Sequence, residues 1–296
     1  MIRTTPNDEH SPLPVWSGNS LRGPMNEIEQ LKEEILESYP RLSEDSSFTF
    51  ACAPGVACFN DCCGDVNIFL TPYDIVRLKN GLGMSSGEFL SKYTVSPFDQ
   101  DLKYPVILLK MNEDDRKSCP FVGEDGCRVY EVRPAACRMY PLGMASPKEG
   151  SGSLNEEFYF IFHEGGCRGF EEEETQTVAE WLADQGVDEY NRMGEYFKAL
   201  TLHEFFQEGK DLTPVKAEMF FLACYDLDRF RDLLFNSTFF DKFEVDEETR
   251  RKLAEDDVEL LRFGHDWLRL ALFGEKTLEI KKSFLEARRE ELGRGR

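Results

Sequence analysis

Four cysteines fall within twelve positions in the stretch "CAPGVACFNDCC", residues 52–63. Four more lie between residues 119 and 167, and only Cys224 falls outside this region. Cysteine groups separated by long gaps are typical of a metal site whose ligands come from different loops, because thiolates bind both zinc and iron. The candidate ligands are therefore Cys52, Cys58, Cys62, Cys63, Cys119, Cys127, Cys137 and Cys167.

The adjacent pair Cys62 and Cys63 bears on the kind of metal site. Neighbouring side chains of an extended chain point to opposite faces, so both sulfurs reach a single ion only with strain. Eight thiols are also too many for one four-coordinate ion. The pattern favours an iron–sulfur cluster, preferably of the [4Fe–4S] type, over a single zinc ion. A cluster with a second site and a pair of four-ligand sites both remain open.

Three of the cysteines are followed directly by an arginine, then by a variable residue and then by an aromatic residue, in "CRVY", "CRMY" and "CRGF". These arginines are Arg128, Arg138 and Arg168. Their positive charge would offset that of clustered thiolates and lower the pKa values of the thiols. They could instead bind a carboxylate or phosphate group of a cofactor or substrate, or pair with surface acids. The sequence leaves these roles open.

The formal charge of −21 predicts an acidic surface. Such a surface repels phosphate backbones and anionic lipids, so we expect neither a nucleic-acid partner nor a membrane partner. No apolar run approaches the roughly 18 residues that span a bilayer, and the N-terminus lacks the apolar segment of a secretory signal. We therefore expect a cytoplasmic protein, in which thiols stay reduced and disulfides are disfavoured.

No common catalytic motif names an active-site residue. The patterns G-x-x-x-x-G-K-[ST], G-x-S-x-G and H-E-x-x-H are absent, as is G-x-G-x-x-G after a strand. Of the histidines, only His163, four residues before Cys167, lies near the cysteines as a candidate ligand or acid–base group. Catalytic residues therefore stay unassigned.

Capping signals predict two helices after the first cysteine group. Thr71 is placed as an N-cap with Pro72 in the first turn, and Gly81 is expected to end this helix. Ser85 and Glu88 have the spacing of a capping box and predict a second, short helix. Apolar periodicity in "PMNEIEQLKEEILESY" predicts another helix before the cysteines.

Strand signals accompany the later cysteines. The runs at residues 104–112 and 158–167 are rich in apolar and β-branched or aromatic residues and predict strands. The "GEDG" between them predicts a hairpin turn with Cys119 and Cys127 on its two arms. These elements would bring the second cysteine group together locally.

The sequence pattern changes near residues 170–176, because long stretches of helical periodicity follow. Within them, Thr213 and Pro214 repeat the N-cap and first-position signal of a helix start. We expect an α+β protein, with a small cysteine-rich metal-binding domain followed by an all-helical C-terminal domain. The predicted divisions are a flexible N-terminal lead-in at 1–24, the cysteine-cluster domain at 25–172 and an acidic helical domain at 173–296.

The segment "CCGDVNIFLTPYDIVRLKNGLGMSSGEFLSKYT…CPFVGEDGCRVYEVRPAACRMYPLG" resembles the CxxCxxCC family of zinc- or iron-chelating domains, the YkgJ-like cysteine cluster proteins of bacteria. The resemblance covers roughly residues 50–142 and extends towards residue 170. The family's cysteine and arginine positions match Cys58, Cys62, Cys63, Cys119, Cys127, Cys137, Arg133 and Arg138. Cys52 and Cys167 are the next candidates, since the first group here has spacings x5 and x3 where the family name gives x2 and x2.

The family includes flagellin lysine methylases, so the resemblance implies three alternatives. The first is a metal-binding protein that holds an iron–sulfur cluster or zinc. The second is a cluster-dependent protein lysine methyltransferase that uses S-adenosylmethionine, with Arg138 or Arg168 on the cofactor's carboxylate. The third is an assembly module with a structural metal, in which the acidic helical domain contacts a protein partner.

Overall fold

A computed structural model of the chain describes residues 39–96, 102–145, 158–162 and 166–294. The predicted helix "PMNEIEQLKEEILESY" lies outside these residues except for its final Tyr39, as do the N-terminal lead-in and His163. The predicted domain divisions stay a prediction.

The described residues form twelve α-helices and eight short strands. In chain order they are β1 (Ser47–Thr49), α1 (Pro72–Leu82), α2 (Ser86–Tyr93), β2 (Thr94–Val95), β3 (Leu108–Leu109), β4 (Val122–Gly123), β5 (Gly126–Cys127), α3 (Ala135–Met139), β6 (Leu142–Ala145), β7 (Phe158–Ile161), β8 (Thr175–Thr177), α4 (Val178–Asp184), α5 (Asp188–Thr201), α6 (Glu204–Gln207), α7 (Pro214–Cys224), α8 (Leu227–Phe235), α9 (Phe239–Lys242), α10 (Glu247–Glu255), α11 (Asp257–Leu268) and α12 (Lys282–Arg294). Small antiparallel strand pairs with a helical C-terminal region confirm the predicted α+β class.

The chain forms two compact units, each assembled from several stretches of sequence. Unit 1 consists of Met1–Asn67, Met111–Cys127 and Tyr140–Trp181. Unit 2 consists of Ile68–Lys110, Arg128–Met139 and Leu182–Arg296.

Unit 1 contains three antiparallel strand pairs, β1 with β8, β4 with β5, and β6 with β7. In the first pair Ser47 lies opposite Thr177, and Thr49 lies opposite Thr175. The chain just before Cys52 therefore pairs with the chain just after Cys167. The predicted strand at 158–167 exists as β7, which pairs with β6 and ends at Ile161. Pairing of distant segments therefore defines this unit.

The helices α1 and α2 of unit 2 begin as the sequence predicts. The hydroxyl of Thr71 accepts the N–H of Asp74, whose carboxylate accepts the N–H of Thr71 in return, and Ser85 and Glu88 form the same capping box. The predicted end at Gly81 is wrong, because α1 continues to Leu82 and its cap is Gly83, with a φ of 65°. Gly81 instead lets Val132 approach, since a Cβ there would lie 2.6 Å from a methyl carbon of Val132.

The predicted strand at 104–112 is reduced to the two residues of β3, which pair with β2. The same segment also forms hydrogen bonds with residues 68–70: the carbonyl of Ile107 accepts the N–H of Leu70, and the N–H of Leu109 donates to the carbonyl of Ile68. Ile107, Leu108 and Leu109 are therefore buried between β2 and residues 68–70, although only Leu108 and Leu109 form a regular strand.

The core of unit 2 comes from its helices. Thr213 caps α7 with Pro214 in its first turn, as predicted. The helix α11 packs against α7 and α10, and Phe220, Phe230 and Leu260 have no exposed surface. Within the described ranges, no helix combines the length and the apolar composition needed to cross a membrane.

Candidate metal centre

Seven of the eight candidate cysteines belong to unit 1, where the β1–β8 pair brings the first and last of them together. Beyond the strands, the N–H of Phe50 donates to the carbonyl of Glu174 at 2.9 Å, and the N–H of Ala51 donates to that of Gly169 at 3.0 Å. The backbone before Cys52 is therefore joined to the short 3₁₀ helix that follows Cys167.

The contact between these segments depends on Gly169. A Cβ at this position would lie 2.6 Å from the carbonyl oxygen of Ala51 and from the ring of Phe50, so a larger side chain would force the two segments apart. Phe50 is 1% exposed, and its ring lies 5.1 to 5.8 Å from those of Phe170, Trp181 and Tyr140. This aromatic cluster fixes the chain just before Cys52.

Cys58 receives a hydrogen bond from the loop of the last cysteine. The backbone N–H of Arg168 donates to the Sγ of Cys58 at 3.0 Å. Between Cys52 and Cys63 the chain coils through successive turns, and Asn60 adopts a left-handed conformation with a φ of 70°. An N–H aimed at sulfur favours the charged thiolate, which is the form that binds metal.

Cys52 lies within electrostatic reach of three other thiols. Desolvation raises the pKa of Cys52 to about 11, and repulsion from the thiols of Cys62, Cys58 and Cys167 contributes in the same direction. Four thiols from two distant segments are thus gathered in one region. A cation placed among them would offset the repulsion between their thiolates.

A second contact joins Cys63 to Cys119. The N–H of Cys119 donates to the carbonyl of Cys63 at 2.7 Å, and Gly64 and Ser118 form an antiparallel bridge beside it. A Cβ at Gly64 would lie 2.7 Å from the carbonyl oxygen of Arg116, so this close approach requires glycine. The two cysteines therefore lie opposite each other on paired backbone.

The predicted hairpin around "GEDG" is confirmed. It consists of β4 and β5, with Val122 opposite Cys127, while the N–H of Val122 donates to the carbonyl of Cys119 at 3.1 Å. The N–H of Phe121 approaches the Sγ of Cys119 at 3.5 Å, which gives this thiol a donor as well. The hairpin thus places Cys119 and Cys127 at neighbouring points of unit 1.

Cys137 belongs to unit 2, where it is exposed on the short helix α3. The buried carboxylate of Asp74 accepts the N–H of Ala135 at 2.8 Å and so holds the start of this helix. Burial raises the pKa of Asp74, against the hydrogen bonds from Ala135 and Thr71, which stabilise its charged form. Asp74 therefore fixes both α1 and the helix that carries Cys137.

Arg138 is buried in unit 2 and contacts backbone carbonyls. Its Nη1 donates to the carbonyl of Gln185 at 2.6 Å, its Nε to that of Arg133 at 3.2 Å, and its Nη2 to that of Glu131. Its guanidinium also lies over the ring of Tyr190, 4.9 Å from the centroid. These contacts hold the backbone around α3 and add a positive charge beside Cys137.

The other two arginines are exposed. The guanidinium of Arg168 forms an ion pair with Glu171, while its backbone N–H binds Cys58. Arg128 directly follows β5. For Arg168, the side chain and the backbone therefore have separate partners, an acid and a thiol.

The chemistry of these donors fits a thiolate-bound metal. All nine cysteines are thiols, and Cys224 is buried in α7, where burial raises its pKa well above the usual value. Within the described ranges, no three His, Cys, Asp or Glu side chains are placed so that they could hold a metal ion as they stand. Backbone contacts bring cysteine-bearing segments of unit 1 together, but their thiols do not form a coordination geometry.

Some features of this region carry no signal in the sequence. The N–H groups that donate to Cys58 and Cys119 belong to Arg168 and Phe121, and backbone N–H groups of almost any residue type could serve. Asp74 caps α1 and also anchors α3, through a hydrogen bond between residues that are 61 positions apart. Gly169 is the exception, since a glycine directly after "CR" allows another segment of backbone to approach closely, as Ala51 does.

Comparison with known proteins finds a family model that matches part of the chain. No curated protein and no solved structure matches the chain. Residues 51–177 match the family model CxxCxxCC, described as a "putative zinc- or iron-chelating domain", and this span contains all eight candidate cysteines. The resemblance seen in the cysteine pattern is thus confirmed over residues 51–177, which are similar to the CxxCxxCC domain.

Proposed function

We propose that this protein binds an iron–sulfur cluster, or zinc as the alternative metal, through the thiols of its CxxCxxCC domain. The observation that carries the proposal is the hydrogen bond from the backbone N–H of Arg168 to the Sγ of Cys58, which holds the chain after Cys167 against the first cysteine group. The match of residues 51–177 to a zinc- or iron-chelating domain supports the same function. A cation bound by these thiols would offset the repulsion between their ionised forms.

The hydrogen bonds to sulfur are compatible with the cluster, whose preference over zinc comes from the number of cysteines and the adjacent pair. Cys58 and Cys119 each have a backbone N–H directed at their Sγ. Such hydrogen bonds are among the features that set the reduction potential of an iron–sulfur cluster. They also stabilise zinc thiolates, so zinc remains the alternative.

The geometry of unit 1 supports a wider ligand set than the family positions alone. Cys58, Cys62, Cys63, Cys119, Cys127 and Cys137 are the ligands that the family resemblance implies. Cys52 and Cys167 enter the proposal on equal terms, because the β1–β8 pairing joins their segments beside Cys58.

The test is metal analysis of the full chain purified without oxygen. We expect bound iron with acid-labile sulfide and the broad visible absorption of a cluster, or else stoichiometric zinc. The variant Cys224→Ser is the matched control, because this thiol is buried in the helical core and should leave the metal content unchanged. A fully folded protein that holds neither metal after reconstitution would overturn the proposal.

Methyl transfer with S-adenosylmethionine and assembly with a protein partner remain sequence-based alternatives. In the described residues, the donors of Arg138 bind backbone carbonyls and the guanidinium of Arg168 pairs with Glu171. Neither contact adds support for recognition of a cofactor's carboxylate. The proposal therefore stops at metal binding in the cytoplasm, where thiols remain reduced.

A further inference from the structure

The chain that follows Cys167 lies against the sulfur of Cys58. The backbone N–H of Arg168 donates to the Sγ of Cys58 at 3.0 Å, although the two residues are 110 positions apart. We propose that Cys58 and Cys167 form a reversible disulfide when the protein meets a hydroperoxide. The inference goes beyond the proposed metal binding, because it needs two thiols and no metal.

The hydrogen bond places the two cysteines within reach of each other. One carbonyl carbon separates the nitrogen of Arg168 from the Cα of Cys167, so the Sγ of Cys58 lies at most about 6 Å from that Cα. Rotation about the Cα–Cβ bond of Cys167 moves its own sulfur without any change of backbone. Disulfide-bonded cysteines have Cα atoms about 4.4–6.8 Å apart, so side-chain rotation with a small shift of the loop closes the pair.

The backbone around the pair is fixed by contacts between distant segments. The N–H of Ala51 donates to the carbonyl of Gly169 at 3.0 Å, and β1 pairs with β8. A Cβ at Gly169 would lie 2.6 Å from the carbonyl oxygen of Ala51, so the close approach of these segments requires glycine. The folded chain therefore holds the residues after Cys167 beside the first cysteine group.

Both thiols are accessible to a small oxidant. Cys58 and Cys167 are half-buried, whereas Cys224 is buried in α7. Reaction with a peroxide follows the exposure and the thiolate character of a cysteine, and the N–H of Arg168 stabilises negative charge on Cys58. Where thiols are kept reduced, the disulfides that do form are usually transient and redox-sensing. The pair thus has an accessible sulfur and a second thiol beside it.

The reaction has two steps, written here for hydrogen peroxide. The thiolate of Cys58 attacks one oxygen, the O–O bond breaks, and Cys58 becomes a sulfenic acid while hydroxide leaves and takes up a proton to form water. The thiolate of Cys167 then attacks that sulfur, the S–O bond breaks, and a second hydroxide leaves as water. Two electrons pass from the two thiols to the peroxide. A dithiol reductant reverses the link by thiol–disulfide exchange.

The first test treats the reduced full chain, freed of metal by a chelator, with hydrogen peroxide and maps the products by mass spectrometry. Trypsin releases Cys167 in the peptide 149–168, which contains no other cysteine, and cleavage before Asp61 separates Cys58 from the adjacent cysteine pair. The expected product joins the peptide 149–168 to the peptide 45–60 within one chain. A main product that omits either cysteine, or a Cys58 that proceeds to sulfinic acid without a bridge, would overturn the proposal.

The second test uses serine variants, because the peptide 45–60 also contains Cys52. Cys52→Ser should retain the bridge, whereas Cys58→Ser and Cys167→Ser should abolish it. In Cys167→Ser, dimedone should label Cys58, since its sulfenic acid has lost the thiol that resolves it. Loss of the bridge in a Cys52→Ser chain of native helicity, or an unlabelled Cys58 in Cys167→Ser, would contradict the proposal. Cys224→Ser is the control, and metal analysis of the same preparation before chelation tests the proposed metal binding separately.

Discussion

Unit 1 and unit 2 bury their side chains to very different extents. In unit 2 the helices enclose fully buried rings and branched side chains, among them Phe89, Phe220, Phe230 and Leu260. In unit 1 the strands are two to four residues long, and the buried apolar residues are mainly Phe48, Phe50, Phe121, Leu142, Phe158 and Phe160. The cysteines of unit 1 are exposed or half-buried.

This difference indicates two sources of stability. A helical core of this kind stabilises itself, because burial of each large apolar side chain contributes about 1.5–3 kcal/mol. Small domains with limited cores commonly need a metal or another cross-link to stay folded. We therefore expect unit 1 to depend on metal for its structure and unit 2 to fold without it.

Removal of the metal should have the largest effect and tests this contrast directly. Structural zinc contributes about 10–16 kcal/mol in small zinc domains, so a chelated unit 1 should lose most of its order. Hydrogen exchange followed by mass spectrometry should show loss of protection in β1, β8 and the segment 52–63, while α7 and α11 stay protected. Equal protection of unit 1 with and without metal would show that its fold does not need the ion.

Truncation of one phenylalanine in each unit should separate stability from metal binding. Phe50→Ala and Phe230→Ala both remove a ring that is almost fully buried, and each should cost about 3–5 kcal/mol of unfolding free energy. Only Phe50→Ala should lower the metal content, because Phe50 anchors the chain before Cys52. Urea unfolding and metal analysis measure the two effects.

The exposed Phe69 provides the control for these truncations. It is 58% exposed, so Phe69→Ala should change neither the unfolding free energy nor the metal content appreciably. If Phe230→Ala depleted the metal as strongly as Phe50→Ala, the two units would not be independent in the way that the comparison suggests.

The sequence predicts those features that depend on nearby residues. The caps at Thr71, Ser85 and Thr213 and the hairpin before Cys127 follow from side-chain hydrogen bonds and turn preferences within a few positions. The end of α1 was misplaced because Gly81 and Gly83 look alike in sequence, and only the packing of Val132 distinguishes them.

The rest could not be read from local patterns because it depends on distant segments. The sequences of β1 and β8 are too polar to predict strands. Their pairing also joins distant residues, since Thr49 and Thr175 are 126 positions apart. The same pairing brings Cys167 to the first cysteine group. The cysteine types and spacing thus predicted a metal site, whereas the contact between its distant segments depends on long-range backbone hydrogen bonds.

The acid stability of unit 2 should depend on His265. This residue of α11 is 1% exposed, neither ring nitrogen has a hydrogen-bond partner, and burial lowers its pKa to about 3. Between pH 6.5 and about 3 the unfolded chain therefore binds a proton that the folded chain excludes, so stability falls as the pH falls. The contribution reaches about 2 kcal/mol between pH 7 and pH 5, since each unit of pKa difference is worth about 1.4 kcal/mol.

The variant His265→Leu should remove this part of the acid sensitivity. Urea unfolding followed by helicity should give a shallower decline between pH 7 and pH 5 than in the unmodified chain. Above pH 8 the imidazole is almost entirely neutral in both states, so the two proteins should show the same slope there. Parallel declines over the whole range would refute the role of His265.

The smallest effect concerns one hydrogen bond to sulfur and compares two substitutions at Arg168. Arg168→Pro removes the N–H that donates to Cys58, at the first position of a 3₁₀ helix where proline is tolerated and after a residue with extended backbone. Loss of a hydrogen bond to a metal ligand typically lowers metal affinity about 10- to 100-fold, and competition with a chelator should show a change at the lower end of this range. Arg168→Ala keeps the N–H and loses only the ion pair with Glu171, so its affinity should stay close to that of the unmodified chain. If the two variants weakened binding equally, the guanidinium rather than the backbone would be the group that supports Cys58, and the exposed charge of unit 1 would matter more than its backbone.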